Sequence, residues 1–405
     1  MLESITLLGS SSGRNAGDAA LISGIMDPID AACGRKLLYE IPTINPSFVR
    51  KTYKNRVQPV SMLPWNGSLK MLGFPTYNSV MRTDLTLIFD AILFDRALFN
   101  PLFNFMSTLS LILPRAKRAG KRIGFYNVGA GPVTTKLGRR MLRDLGNLVD
   151  FITVRDQDSF DILREIGVTN PRMIIGADAA IGVAPCSVSR ASEILARLGM
   201  PTDREILAIN INAYLDTWAG GSGAALSREK FLQVYAEALQ RTVTKLGCPV
   251  LFVSTQHHDV KITEELMHAA RLRTPTALLS NREYNHFEIK GVLGKTALLF
   301  AMRLHAAILA SSVYTPVLGL QYQPKVKHYF NTLGLTDCCL PFDEFTVSAL
   351  EQHILRGWKR RESLRLTLQQ RIPELVEKSL IAAHLAAELS ARGSLEHSPL
   401  LAANE

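Results

Sequence analysis

Residues 303–325 contain the side chains that are best suited to ligand binding or catalysis. Arg303 and His305 open an alanine-rich apolar stretch, with Leu304 between them, and Lys325 follows a short predicted strand. Arginine and lysine bind phosphate and carboxylate groups, while histidine exchanges a proton near neutral pH. The turn between a strand and a helix is also where α/β enzymes bind anions. The segment therefore predicts a binding site for a small substrate that carries two negative charges.

A glycine-containing turn follows the first predicted strand. Asn15, Gly17 and Asp18 lie where that strand gives way to a helix. Glycine lets the backbone approach a ligand closely, and Asp18 can cap the helix or accept a hydrogen bond from a sugar hydroxyl. The pattern is neither a GxGxxG fingerprint nor a Walker loop. Taken alone, a plain strand–helix turn explains it as well as a binding loop does.

Three further positions lie at the ends of predicted strands in the first half of the chain. Gly129 and Gly131 form a second such turn, which simple turn chemistry explains at least as well as ligand binding. Arg155 ends the next strand, at the edge where such folds place ligand-binding groups, while the adjacent Asp156 suits a helix cap. Asp178 follows one more strand and either lines the cleft or caps the next segment.

Two adjacent histidines and an aspartate, at positions 257–259, invite comparison with a metal site. Adjacent side chains diverge, however, and no third ligand stands at a fixed spacing. We therefore predict no metal site. Lining of the cleft and a solvated loop both remain open for this segment.

The elements that must position these side chains alternate between short β-rich runs and helical patterns, which predicts parallel α/β layers. A chain of 405 residues exceeds one comfortable core, so we expect two domains. The predicted fold is α/β, with two Rossmann-like domains facing across a cleft and ligands at the carboxyl ends of the strands. The domains are expected at residues 1–198 and 199–360, followed by a C-terminal helix and disordered tail at 361–405. Residues 43–82 are predicted to form an irregular loop.

Composition limits the partners. The net charge is +10 and the pI about 9.4, a balance that favours acidic partners. Basic residues are scattered, which argues against nucleic acid. Five cysteines without a CxxC pair suit a reducing cytosol. The longest apolar stretch, residues 97–114, is interrupted by Asn and Pro, so we do not expect it to span a bilayer. We expect a buried helix in preference to one that lies against a membrane surface. We predict a cytoplasmic protein, and the charge leaves open a peripheral contact with an anionic membrane at its inner face.

Taken together, and in this order, the motifs resemble those of the polysaccharide pyruvyl transferases. The matching residues, which cover most of the chain, are Asn15, Gly17, Asp18, Gly129, Gly131, Arg155, Asp156, Ser159, Asp178, Arg303, Leu304, His305, Tyr322 and Lys325. The resemblance implies a fold of the glycosyltransferase-B kind. It also implies phosphoenolpyruvate as a co-substrate, with no other cofactor. The implied acceptor is a sugar of a cell-surface polysaccharide or of its lipid-linked precursor.

The resemblance also implies roles for these residues. His305 would transfer protons. Phosphoenolpyruvate would be bound by three residues of the C-terminal donor side and one upstream residue, namely Arg303, Leu304, Lys325 and Arg155. The acceptor side or the cleft would be lined by Asn15, Gly17, Asp18, Gly129, Gly131 and Asp178.

One departure from the family pattern is evident. The family has a glycine triplet after the third strand, whereas this chain has Phe89, Asp90 and Ala91. Bulk at this loop would reshape the acceptor pocket or mark a divergent member. Two alternatives therefore stay open: a glycosyltransferase that uses a nucleotide sugar, and a non-catalytic glycan-binding member. The oligomeric state is not predicted.

Overall fold

The computed structural model describes residues 2–62, 74–100, 104–213, 226–392 and 395. The chain divides into two compact units, each made of separate pieces of sequence. Unit 1 consists of Met1–Gly13, Asp18–Ala179 and Leu375–Glu405, and unit 2 of Arg14–Gly17 and Ala180–Glu374.

Unit 1 is built on a seven-stranded parallel sheet. Its strands are β1 (Ser4–Leu8), β2 (Leu38–Thr43), β3 (Val57–Ser61), β4 (Leu85–Ile88), β5 (Arg122–Val128), β6 (Phe151–Val154) and β7 (Met173–Ile175). They are arranged in the order β3-β2-β1-β4-β5-β6-β7. The inner strands are short, nearly continuous apolar runs whose residues are buried on both faces, as parallel sheets covered by helices require.

The helices of unit 1 follow the strands in alternation. They are α1 (Ala16–Cys33), α2 (Pro46–Tyr53), α3 (Phe74–Arg82), α4 (Met106–Arg118), α5 (Lys136–Leu148) and α6 (Gln157–Glu165). The apolar stretch predicted to be buried contributes most of α4, whose buried residues include Leu109, Ile112 and Leu113. The expectation is confirmed for these residues of the helix, whereas Leu111 is 52% and Phe99 72% exposed. Residues 101–103 lie outside the described part.

The predicted irregular loop at residues 43–82 is wrong, since α2, β3 and α3 lie within it. Asn45 caps α2 by accepting a hydrogen bond from the Phe48 amide, and Pro46 follows at the start of the helix, which is a helix-start signal. Pro59 is accommodated because β3 is an edge strand. Residues 63–73 lie outside the described residues.

Unit 2 is built on a six-stranded parallel sheet with the same winding. Its strands are β8 (Leu207–Asn210), β9 (Val250–Ser254), β10 (Thr276–Ser280), β11 (Leu298–Ala301), β12 (Val317–Gln321) and β13 (Cys339–Pro341). They are ordered β10-β9-β8-β11-β12-β13. In both sheets the chain first steps outward in one direction and then restarts on the other side of the first strand, which is the Rossmann arrangement.

The helices of unit 2 are α7 (Val188–Arg197), α8 (Arg228–Leu246), α9 (Val260–Ala270), α10 (His286–Leu293), α11 (Leu304–Ser311), α12 (Pro324–Thr332) and α13 (Val347–Lys359). The predicted domain boundary after residue 198 lies inside this unit, and the division falls between Ala179 and Ala180. The reason is α7, which packs against α10 and pairs Arg190 with Glu288 at 2.8 Å.

The C-terminal helix α14 (Arg361–Arg392) is continuous through Pro373. Its residues up to Glu374 belong to unit 2 and the remainder to unit 1. The predicted disordered tail falls in residues 393–405, of which only residue 395 is described. Across the described ranges, no helix has both the length and the apolar character that a membrane crossing requires.

Candidate active site

The short segment Arg14–Gly17 follows β1 and includes the first two residues of α1, but it belongs to unit 2. There it lies along the carboxyl end of β9. The Ala16 amide donates a hydrogen bond to the Thr255 carbonyl at 2.8 Å, and Asn15 forms an antiparallel bridge with Gln256. The first glycine-containing turn of the chain therefore lies at the carboxyl edge of the second sheet.

Gly17 lies directly against the imidazole of His305. A Cβ atom on Gly17 would stand 2.2 Å from both Cγ and Nδ1 of that ring, which no side chain permits. The Gly17 amide donates to Oδ1 of Asn15 at 2.9 Å, which fixes the turn. Two motifs near opposite ends of the sequence therefore meet, and glycine is required because the imidazole occupies the space of a side chain.

Arg303 is held in place by a buried carboxylate. Its Nε and Nη2 both donate to Asp259, with Nη2 2.8 Å from Oδ1, and Nη2 also donates to Oδ1 of Asn212 at 3.1 Å. The Arg303 amide donates to Oδ1 of Asn210 at 2.9 Å. The Asp259 side chain is 0% exposed and that of Arg303 13%. The guanidinium is thus fixed in orientation and its charge is balanced by Asp259.

Tyr322 extends this network to a fourth strand. Its hydroxyl hydrogen-bonds the Asn212 side chain. Burial raises the pKa of Tyr322, against the opposing influence of Arg303 and of that hydrogen bond. Side chains that follow β8, β9, β11 and β12 are thereby joined at the carboxyl edge of the sheet. We did not predict the asparagines from the sequence. Their signal was the Asn-x-Asn spacing directly after the apolar strand β8.

Leu304 and Lys325 lie at the same edge of the sheet as expected. Leu304 is the first residue of α11 and is buried. Lys325 is the second residue of α12 and is half-buried, in the turn that follows β12. Helix N-termini carry partial positive charge and favour anions.

His258 and its neighbour Asp259 differ in burial. Asp259 is fully buried against Arg303, whereas His258 is exposed. These adjacent side chains therefore point in different directions, as the sequence suggested.

Arg155 and Asp178 belong to unit 1, where Arg155 lies in an acidic cluster. Nε of Arg155 is 3.3 Å from Oδ2 of Asp156, and Nη1 is 3.5 Å from Oδ2 of Asp178. A Cβ on Gly129 would stand 2.8 Å from the guanidinium carbon. Burial alone would lower the pKa of Arg155, but Asp156, Asp178 and Asp90 raise it. Three carboxylates around one guanidinium reduce its attraction for a dianion.

The second glycine-containing turn is held by helix capping. Asp156 caps α6 by accepting a hydrogen bond from the Ser159 amide at 2.8 Å, so its structural interpretation is confirmed. Ser159 Oγ in turn accepts from the Ala130 amide at 3.0 Å. Gly131 has a φ of +91°, and a Cβ there would stand 2.8 Å from Ile162. This turn requires glycine for backbone reasons alone.

This chain has Phe89, Asp90 and Ala91 where the family has a glycine triplet. The large side chain of this segment lies in the core of unit 1. The Phe89 ring is fully buried against Gly9, where a Cβ would stand 2.6 Å from the ring. Asp90 has a φ of +71° and its Oδ1 accepts from the Ala91 amide at 2.6 Å. Compared with a glycine triplet, this segment therefore adds the carboxylate of Asp90 near Arg155.

Asp18 lies in the first turn of α1, in unit 1. It is 9% exposed and close to the hydroxyl of Tyr53, whose pKa is raised by burial and by the charge of Asp18. Its position near a helix N-terminus suits a carboxylate.

These motifs agree with a known family. The chain matches the model of the polysaccharide pyruvyl transferases over residues 15–324. The protein belongs to the polysaccharide pyruvyl transferase family. The matched range runs from Asn15 past Tyr322 and ends one residue before Lys325.

One named relative of this chain is distant in sequence. The amylovoran biosynthesis protein AmsJ of Erwinia amylovora is 21% identical over 372 residues, which cover 82% of this chain and 86% of AmsJ. The name of AmsJ refers to the biosynthesis of amylovoran.

Solved structures support the fold. A UDP-GlcNAc 2-epimerase from Neisseria meningitidis aligns with a TM-score of 0.63 at 11% identity, covering 96% of this chain and 100% of the epimerase. A putative UDP-N-acetylglucosamine 2-epimerase from Listeria monocytogenes gives 0.61 at 13% identity, with 97% of each chain covered. Together with the two Rossmann-like sheets, these similarities confirm the predicted α/β fold of the glycosyltransferase-B kind for this family member.

Proposed function

We propose that the protein transfers the pyruvyl group of phosphoenolpyruvate onto a sugar of a cell-surface polysaccharide or its lipid-linked precursor, as a ketal, with release of phosphate. Membership of the family supports the reaction class. The contact of Gly17 with the His305 ring carries the proposal for this chain, because it fixes a proton-transferring group beside a close backbone turn.

The donor would be bound in unit 2 by cationic groups that follow β11 and β12. Phosphoenolpyruvate presents a carboxylate and a phosphate, which arginine and lysine bind through charge-assisted hydrogen bonds. Asp259 and Asn212 hold the Arg303 guanidinium in one orientation, which reduces the entropy lost on binding a planar anion. Lys325 would supply the second positive charge.

The chemistry needs one proton to be delivered and two to be removed. His305 would protonate the methylene carbon of phosphoenolpyruvate, which becomes a methyl group and leaves an oxocarbenium centre at C2. One sugar hydroxyl attacks C2 and loses its proton to the imidazole. The bond from C2 to the phosphate oxygen then breaks, and a second hydroxyl closes the ketal as its proton leaves with the phosphate. Proton transfer by a positioned side chain contributes roughly 10²–10⁴-fold in rate.

The acidic cluster of unit 1 suits a neutral, hydroxyl-bearing ligand. Carboxylates accept hydrogen bonds from hydroxyl groups, and Asp178 and Asp90 flank the guanidinium of Arg155. In this proposal Arg155 positions these carboxylates.

The reaction is tested by incubating the protein with phosphoenolpyruvate and a panel of bacterial glycans and lipid-linked oligosaccharides. We expect phosphate release that depends on one acceptor class, with a pyruvyl ketal on the product detected by mass spectrometry. Nucleotide sugars should not replace phosphoenolpyruvate as the donor. Absence of phosphate release across a broad panel would contradict the proposal.

Replacement of the imidazole separates chemistry from binding. His305→Ala should lower kcat by roughly 10²–10⁴-fold, because proton transfer is lost, while calorimetry still detects phosphoenolpyruvate binding. Arg303→Ala should instead weaken binding of the donor itself. Full activity in both variants would overturn the site assignment.

A further inference from the structure

A second group of basic side chains lies at the edge of the unit 2 sheet, away from Lys325. It consists of Arg14, His257, His258 and Arg282, which we call the basic cluster. The two histidines follow β9, and Arg282 follows β10. Arg14, His258 and Arg282 are exposed and His257 is half-buried. None of these four residues has a role in the transfer chemistry proposed above.

The basic cluster is assembled by hydrogen bonds between three separate segments. The His257 amide donates to the Arg14 carbonyl at 2.9 Å, and Nδ2 of Asn281 donates to the same carbonyl at 3.1 Å. Nη2 of Arg282 donates to the His257 carbonyl at 3.1 Å. The main chain therefore brings the four basic side chains to the same place.

The arginines of the basic cluster act on one imidazole. Burial lowers the pKa of His257, its hydrogen bond with the Asn281 backbone raises it, and the charges of Arg282, Arg14 and His258 lower it further. Arg14 and Arg282 therefore present their positive charges near the same ring, and two guanidinium groups in one place favour an anionic ligand.

Sheet geometry separates the basic cluster from the donor groups. In the strand order β10-β9-β8-β11-β12, Arg282 and Lys325 follow strands that are four places apart. Neighbouring strands are about 4.8 Å apart, so these two positions are roughly 19 Å apart across the sheet. One molecule of phosphoenolpyruvate, a three-carbon acid, is too small to contact both Arg282 and Lys325. The Arg14–Gly17 segment spans part of that distance, since its other end contacts His305.

We propose that the basic cluster binds the diphosphate through which the acceptor sugar is attached to its carrier. The carrier end would be held at Arg14 and Arg282, and the sugar would extend along the Asn15–Gly17 backbone toward His305. Guanidinium groups suit this ligand because they bind phosphate oxygens in a bidentate manner. The identity of the ligand as an acceptor rests on the proposed function, whereas the existence of a diphosphate site does not.

Calorimetry with inorganic pyrophosphate tests the site on the full chain. We expect pyrophosphate to bind equally well with and without saturating phosphoenolpyruvate. In Arg14→Gln/Arg282→Gln its affinity should fall about tenfold or more, because two guanidinium–phosphate contacts are lost. The affinity for phosphoenolpyruvate should stay unchanged. Thermal unfolding of the variant serves as the control for folding, and Lys325→Gln should show the reverse pattern.

Two results would overturn the inference. The first is competition between pyrophosphate and phosphoenolpyruvate together with loss of donor affinity in Arg14→Gln/Arg282→Gln, which would assign the basic cluster to the donor. The second is unchanged pyrophosphate affinity in that variant. Diphosphate binding through the basic cluster without any use of phosphoenolpyruvate would sustain the site while refuting the proposed reaction.

The same assay identifies the carrier. Farnesyl diphosphate and UDP are compared with pyrophosphate on the unmodified protein. Tighter binding of farnesyl diphosphate supports a lipid carrier, and tighter binding of UDP supports a nucleotide carrier. Either gain should disappear in Arg14→Gln/Arg282→Gln.

Discussion

Gly17 contacts the imidazole ring of His305, and this contact is possible because glycine has no side chain. The imidazole occupies the volume that a Cβ on Gly17 would require. The backbone there is also fixed by Asn15, so the turn cannot retreat easily. The orientation of the ring therefore depends on the absence of a single methyl group.

Gly17→Ala should lower kcat by about 100-fold, because displacement of a catalytic group by an ångström has effects of that order. The measurement is phosphate release at saturating phosphoenolpyruvate. The matched control is His305→Ala: with the ring already removed, adding Gly17→Ala should change kcat little. A further large decrease in the double variant would show that Gly17 acts through something other than His305.

The buried pair of Arg303 and Asp259 should dominate the local stability. Asp259→Asn keeps the shape of the side chain and the hydrogen bond from the Ala213 amide, but leaves the guanidinium without its counter-charge. We expect the free energy of unfolding to fall by about 3 kcal/mol in urea titrations. Adding Arg303→Met should restore most of that loss.

An exposed pair offers the comparison for this prediction. Asp337 pairs with Arg360, and both side chains are more than 40% exposed. Asp337→Asn should lower the free energy of unfolding by less than about 1 kcal/mol. Equal losses at the buried and exposed pairs would contradict the importance assigned to burial.

Helix α10 begins with a reciprocal cap. Asn285 accepts from the Glu288 amide, and the Glu288 carboxylate accepts from the Asn285 amide at 3.0 Å. The same carboxylate pairs with Arg190 of α7, so one helix start also anchors the neighbouring helix. The element matters to unit 2 because it carries Lys290 into the interior.

Asn285→Ala should lower the free energy of unfolding by about 1 kcal/mol, since one orphan amide of the helix start loses its acceptor. Asn285→Asp retains an acceptor at the same place and should behave like the unmodified protein. Urea titration monitored by far-UV circular dichroism measures both. An unchanged midpoint in the alanine variant would rule out a contribution of the cap.

Burial of two titratable groups on α10 ties the stability of the protein to pH. Nζ of Lys290 donates to the Ile181 carbonyl at 2.9 Å, and burial lowers its pKa from 10.5 to about 7. Burial, with the charge of Lys290, lowers the pKa of His286 from 6.5 to about 3. In both cases the unfolded chain takes up the proton at a higher pH than the folded chain does.

The free energy of unfolding should therefore fall as the pH decreases from 10.5 to about 7 through Lys290, and again from 6.5 to about 3 through His286. Each group changes the free energy of unfolding by at most about 1.4 kcal/mol per pH unit. Urea titrations across the upper window, compared between the unmodified protein and Lys290→Met, isolate the first contribution. Parallel profiles for the two proteins would contradict the low pKa of Lys290.

Much of the architecture is evident in local patterns, because strands covered on both faces must be apolar runs and the intervening helices must be amphipathic. The helix start at Asn45 and Pro46 was also present in the sequence, but the surrounding polar composition obscured it. Pairing of Arg303 with Asp259 was not predictable, since it depends on which strands become neighbours. The placement of Arg14–Gly17 in unit 2 has the same cause.

Because a tetrapeptide from near the amino terminus completes the second sheet's edge, neither half can be excised as one uninterrupted fragment. A recombinant piece starting at Ala180 would leave the Thr255 carbonyl and the Gln256 backbone without their native strand partner. Dissection of the protein therefore calls for a graft: the Arg14–Gly17 peptide joined through a linker to the later segment, rather than a simple truncation.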